Sequence, residues 1–97
     1  MFIVATNTVT IRAVPGRADA VGVLLREMLC ALRECSGCLS YAAVQSHCEP
    51  NLWIVTGHWL TQPDMENHFH SPVQEQYAYL LNCESVRSIE FNSHLFA

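Results

Sequence analysis

The sequence predicts a single α+β domain, an antiparallel sheet with helices on one face, in the order β-α-β-β-α-α-β. Three observations carry that prediction. Residues 2–12 alternate between two side-chain sets, the signature of a half-covered strand. From Arg17 to about Glu34 the apolar residues Val21, Leu24, Leu25, Met28 and Leu32 recur at helical spacing, with Arg26, Glu27, Arg33 and Glu34 between them. Residues 1–11, 35–48 and 50–63 hold no Asp, Glu, Lys or Arg. Strands with one wet face normally place charges on it. Helices can cover only one face of a sheet, so the charge-free strands predict a second subunit on the other.

Each element follows from its residues. In the first strand Ile3, Ala5, Asn7, Val9 and Ile11 share one face, and Phe2, Val4, Thr6, Thr8 and Thr10 the other. Val14-Pro15-Gly16 turns the chain into the first helix, which Gly22 weakens without cancelling its pattern. Ser36-Gly37 ends that helix, and Cys38 to about Cys48 forms a second strand around Leu39-Ser40-Tyr41-Ala42-Ala43-Val44. Glu49-Pro50-Asn51 is short enough to make strands two and three a hairpin. Strand three, Asn51 to Trp59, is rich in aromatic and β-branched residues. Thr61-Gln62-Pro63-Asp64 breaks it, with Asp64 expected to cap a short helix to His70. After Ser71-Pro72, residues Val73, Gln76, Tyr77, Leu80 and Leu81 give a third helix, and Val86 to Phe91 a more polar last strand.

Composition narrows the function. The 97 residues fit one domain, residues 1–97. With 51% hydrophobic and 14% charged residues the chain is too apolar for disorder, and apolar enough to expect a buried homodimer interface. It has no lysine, five scattered arginines and a formal charge of −4, so no nucleic-acid partner is expected. The longest uncharged stretches contain Thr, Gln, Gly and Pro, so no membrane association is expected. Five cysteines, Cys30, Cys35, Cys38, Cys48 and Cys83, are an odd set without a sequon, which points to reduced thiols and a cytoplasmic location. Cys35-Ser36-Gly37-Cys38, with His47 and Cys48 beyond, superficially suggests a zinc or redox site. Adjacent His47 and Cys48 on a strand would point to opposite faces, so no metal is expected.

The element order, Gly37-Cys38-Leu39-Ser40-Tyr41 after the first helix, Trp59 closing strand three, and Glu66-Asn67-His68 followed by Ser71-Pro72 resemble the antibiotic-biosynthesis monooxygenase family. The resemblance covers nearly the whole chain. It implies a ferredoxin-like antiparallel sheet that pairs face to face into a dimeric α+β barrel, with a cavity between sheet and helices. It also implies oxygen chemistry without flavin, metal or haem on electron-rich phenols. Haem-degrading members of the superfamily use an Asn–Trp–His set. Asn7 matches the first, but His68 and Ala78 occupy the other two places. Polyketide-tailoring members carry an Asn-Tyr pair where this chain has Val55 and Thr56.

Seven residues are candidates for the site. Trp59 is either a core aromatic or a flat wall for a planar ring. Val55 and Gly57 share its face by alternation, and Gly57 is expected to leave open space beside it for a substrate. His68 is either a solvated helix residue or, near the buried edge with Met65 and Phe69, a general base that accepts a phenolic proton near pH 6–7. Asn7 is a polar residue on an apolar strand face, serving either a structural hydrogen bond or a ligand oxygen. Tyr41 and Tyr77 are further substrate-binding candidates. The reading is a cofactor-independent monooxygenase that uses His68, Trp59 and Asn7 to oxidise a small hydroquinone-like aromatic with dioxygen. Its rivals are a small-metabolite isomerase in the same pocket and a non-catalytic dimeric binder of a planar aromatic or haem. The expected interface face carries Thr6, Thr8, Thr10 and His58, so it should be partly wet.

Overall fold

The computed structural model describes residues 4–70 and 75–95. The expectations for Phe2, Ile3, Ser71, Pro72 and Val73 lie outside the described residues, as does the side chain of Leu81. The elements are β1 (Ala5–Ala13), α1 (Ala18–Leu32), β2 (Cys38–Gln45), β3 (Leu52–Trp59), α2 (Gln62–Phe69), α3 (Glu75–Asn82) and β4 (Val86–Leu95). The four strands make one antiparallel sheet in the order β2-β3-β1-β4, the ferredoxin-like arrangement.

Alternation decides which face of the sheet is covered. Ala5, Asn7, Val9 and Ile11 are buried, and Val21, Leu25, Leu32, Val55 and Leu80 complete the core above them. Full burial of a large aliphatic side chain contributes about 1.5–3 kcal/mol, so this layer is the main force holding the helices down. Gly22 has a packing reason. A Cβ there would come within 2.7 Å of the Trp53 ring, whose indole N–H donates to the Ala18 carbonyl at 3.0 Å. The backbone cost of a helical glycine thus admits Trp53 beneath the first turns of α1. At the other end of α1, Arg33 Nε donates to the Tyr41 carbonyl at 2.9 Å, tying the helix to β2.

Of the boundaries that differ from expectation, three have a visible cause. β4 continues to Leu95, four residues beyond Phe91, because its ladder with β1 runs on to Ala5. β2 ends at Gln45, and the expected His47 and Cys48 lie exposed in the hairpin connection. The cap of α2 is Thr61 rather than Asp64. Thr61 Oγ1 accepts from the Asp64 backbone N–H at 3.1 Å and donates to the Asp64 carboxylate at 2.7 Å. This reciprocal pairing needs the hydroxyl at the cap and the carboxylate three residues in, where it also favours the positive end of the helix.

The uncovered face carries Thr6, Thr8 and Thr10 of β1, registered against His58, Thr56 and Ile54 of β3. Ala42 and Val44 extend it on β2, and Glu90 lies across from Thr10 on β4. Thr6 Oγ1 and His58 Nδ1 are hydrogen-bonded at 3.0 Å on this face. Among the described residues no helix is long and apolar enough to cross a membrane.

Candidate functional site

Strand register assembles the site. Asn7 on β1, Gly57 on β3 and Tyr41 on β2 stand in one row across three strands, and their side-chain positions point to the covered face. Gly57 has no side chain, so the two flanking residues meet above it. Asn7 Nδ2 donates to the Tyr41 hydroxyl at 2.8 Å. A Cβ on Gly57 would lie 2.5 Å from Asn7 Oδ1 and 2.5 Å from Tyr41 Cε2. The expected open space beside Gly57 is therefore absent. The missing side chain is replaced by a hydrogen bond between its neighbours.

In the next row Trp59 closes β3, fully buried, and its indole N–H donates to Asn7 Oδ1 at 2.7 Å. α2 brings His68 down onto this layer. Its ring lies 4.8 Å from the Trp59 ring at 32°, and Nε2 is 3.2 Å from the Tyr41 hydroxyl. α3 adds Tyr77, whose hydroxyl is 3.4 Å from that of Tyr41. The turn after α1 adds Cys35, with Sγ 3.6 Å from His68 Nδ1. Asn7, Tyr41, Trp59, His68 and Tyr77 all lie 3% exposed or less. Five of the seven sequence candidates thus form one hydrogen-bonded layer. Val55 is fully buried one row further along, within the apolar core, and Gly57 is the gap that the layer spans.

Burial keeps this layer neutral. It pulls the His68 pKa down from 6.5 to about 4, well below the pH 6–7 expected for a base at a helix edge. The physical reason is its depth: His68 is 2% exposed, and an imidazolium there would lose its hydration. His70, two residues on, is exposed as its place on the helix requires. Burial raises the Tyr41 pKa against the opposing hydrogen bonds from Tyr77 and Asn7. It also raises that of Tyr77, helped by Tyr41. The Cys35 thiol is pushed up by burial and then by the Glu34 carboxylate.

Pockets among the described residues border the layer. A cleft of about 300 Å³ opens between β1, β4 and the end of α2, lined by Asn7, Thr8, Val9, Phe69, Phe91, Asn92 and Ser93. A smaller one of about 240 Å³ is lined by Cys35, Ser36, Asp64, Asn67 and His68. Trp59 does not line the cleft and packs instead against the His68 and Tyr41 rings; Asn7 is the candidate that touches both cleft and layer. Phe69, Phe91 and Ser93 were not legible as site residues. The period-2 pattern of β4 marks Phe91 and Ser93 as sharing a face, but only pairing with Val9 and Asn7 shows where that face lies. Among the described residues no group of three or more His, Cys, Asp or Glu side chains converges as a metal site would require.

The family model for antibiotic biosynthesis monooxygenases matches residues 3–79. The chain belongs to the antibiotic biosynthesis monooxygenase family. Solved structures agree in fold with this monooxygenase-family chain. A Deinococcus radiodurans protein whose name places it in the same family has a TM-score of 0.84 at 22% identity, covering 96% of this chain and 92% of its own. A Pseudomonas aeruginosa protein has a TM-score of 0.80 at 22% identity, covering 100% and 97%. A further structure named as an antibiotic biosynthesis monooxygenase has a TM-score of 0.76 at 16% identity, covering 96% and 98%. No curated protein matches the chain by sequence.

Proposed function

We propose that this family member is a monooxygenase that needs no organic or metal cofactor and oxidises a small hydroquinone-like or phenolic aromatic to a quinone with dioxygen. Family membership supports the oxygenase class. The observation that carries the substrate reading is Asn7, which joins a ring-bearing cleft to a buried phenol–imidazole pair. The cleft lies at the small end of the roughly 300–1,000 Å³ range of ligand sites, with Phe69 and Phe91 as apolar walls for one planar ring. Asn7 has two amide hydrogens, one of which goes to Tyr41; the other is a donor for a substrate oxygen. The Trp59 N–H on its carbonyl polarises the amide and strengthens that donor as the oxygen gains negative charge.

In this reading the substrate hydroxyl reaches past Asn7 to the Tyr41 oxygen that Asn7 holds at 2.8 Å, and its proton passes through Tyr41 to His68 as the ring gives one electron to dioxygen. The resulting radical and superoxide combine, forming a carbon–oxygen bond and a peroxide anion. An imidazole whose proton affinity is lowered by burial returns its proton readily to that anion. Loss of the ring hydrogen then expels water and leaves the quinone, with one oxygen atom in the product and one in water. Orientation of ring and oxygen in a closed site supplies much of the rate.

We also propose that the protein is a homodimer joined through the uncovered, charge-poor sheet face, with Thr6, Thr8, Thr10 and His58 making its polar contacts.

The experiment is oxygen uptake with a panel of quinols, followed by product analysis after ¹⁸O₂ labelling. One dioxygen per substrate and one labelled atom in the quinone are expected. His68→Ala should lower turnover by about 10²–10⁴-fold, the usual worth of a positioned proton acceptor. Absence of uptake across the panel would overturn the oxygenase reading in favour of an isomerase or a binder.

A further inference from the structure

The thiol that touches the buried imidazole has no part in the reaction above, yet its position constrains which ring nitrogen carries the proton. Cys35 lies three residues past the end of α1, and its Sγ is 3.6 Å from His68 Nδ1 and 3.9 Å from the Ala31 carbonyl. On its other side, His68 Nε2 is 3.2 Å from the Tyr41 hydroxyl. A neutral imidazole has one N–H and one lone pair, so it must donate at one nitrogen and accept at the other.

The competing donors are unequal. A phenolic O–H is a good hydrogen-bond donor and a thiol S–H a weak one, so the imidazole lone pair is best used at Nε2 toward Tyr41. The Tyr41 oxygen already accepts from Asn7 at 2.8 Å, and its own hydrogen goes to the nearer and more basic Nε2 at 3.2 Å, leaving the Tyr77 hydroxyl at 3.4 Å to donate to Tyr41. Nδ1 then carries the proton and points it at a sulfur whose own hydrogen can go to the Ala31 carbonyl. One consistent run of donors results: Trp59 to Asn7, Asn7 to Tyr41, Tyr41 to His68, His68 to Cys35, Cys35 to Ala31. The opposite tautomer would turn Nε2–H toward the Tyr41 oxygen and exchange the good phenolic donor for the weak thiol donor.

We infer that Cys35 is a positioning residue: by accepting the Nδ1 proton it holds His68 in the Nδ1–H tautomer and keeps the Nε2 lone pair on Tyr41. The role deepens the proposed reaction, because only that tautomer presents a proton acceptor to the phenol side of the layer. A neutral thiol is required, and the burial that raises its pKa secures it at neutral pH.

The test is the tautomer itself, read from the histidine ring ¹⁵N shifts and their couplings to the ring protons at pH 7. In the native protein His68 should show a protonated Nδ1 and an unprotonated Nε2. Cys35→Ala removes the acceptor, and a substantial share of His68 should move to the Nε2–H form. Cys35→Ser keeps an acceptor and should restore the native spectrum. An Nε2–H ring in the native protein, or an alanine variant with an unchanged tautomer, would overturn the assignment. Thermal melting of both variants separates loss of the tautomer from loss of the fold. The readout needs no turnover, so a protein inactive toward every quinol still decides it. If the protein is active, Cys35→Ala should lower kcat more than it raises KM, and Cys35→Ser should recover most of the loss.

Discussion

His68 should make the protein sensitive to mild acid by an amount the geometry allows to be worked out. Replacement by Gln keeps an amide near Nε2 but removes the titrating group. The folded imidazole has its pKa depressed from 6.5 to about 4 because it is buried. Its neutral form therefore costs nothing above pH 6.5, where both states are unprotonated. As pH falls below 6.5 the unfolded chain takes up a proton that the folded chain refuses, and stability is lost until the pH passes about 4. With about 1.4 kcal/mol per pH unit per proton, the loss between pH 7.5 and pH 5 is about 2 kcal/mol, approaching about 3 kcal/mol below pH 4. For a domain of 97 residues, 2 kcal/mol corresponds to a fall in Tm of about 8–15 °C. Urea unfolding of the native protein and His68→Gln at both pH values isolates the effect, since carboxylates titrate alike in the two and cancel. The native protein should lose about 2 kcal/mol more than the variant over that interval. Parallel loss in the two proteins, or an NMR titration of His68 near 6.5, would refute the burial argument. The same depression predicts that activity carried by His68 stays level from neutral pH to well below 6, falling only as pH approaches about 4.

Gly57→Ala places a methyl group 2.5 Å from both Asn7 Oδ1 and Tyr41 Cε2, where neither can yield without breaking the bond between them. Overpacking of about 1–3 kcal/mol plus a lost buried hydrogen bond of about 1 kcal/mol should lower stability by about 2–4 kcal/mol in thermal or urea unfolding. An unchanged midpoint would show that the row across the three strands is not tightly held. For the proposed dimer, light scattering at micromolar concentration should give twice the 10.9 kDa chain mass, and Thr8→Arg, in the middle of the uncovered face, should reduce it. A native protein that runs as a clean monomer would remove the face-to-face pairing.

Much of this architecture follows from the sequence alone, because strand and helix periodicities are local. Alternation around Asn7 set a polar residue among Ala5, Val9 and Ile11, and that face is the covered one. The spacing of Val21, Leu25, Met28 and Leu32 located the buried stripe of α1, and the run from Leu52 to Trp59 located β3. Spacing also set His68 near the buried edge of α2 with Met65 and Phe69, without deciding between a solvated and a buried ring. What lies opposite each residue was decided only by tertiary structure. Gly57 read as open space because a sequence shows a missing side chain but not the two neighbours that reach across it. Those neighbours, Asn7 and Tyr41, are 34 residues apart and meet through strand register. His68 read as a base of ordinary strength because its proton affinity depends on how deeply α2 docks, which no spacing within α2 records. Cys35 stood out only as part of a Cys-x-x-Cys pair not expected to hold a metal, and nothing local showed that the turn after α1 delivers it to His68, 33 residues away. Phe91 and Ser93 line the cleft only because β4 pairs with the far end of β1. Local periodicity tells each side chain which way to face; long-range register and helix docking decide what it meets and how much water reaches it.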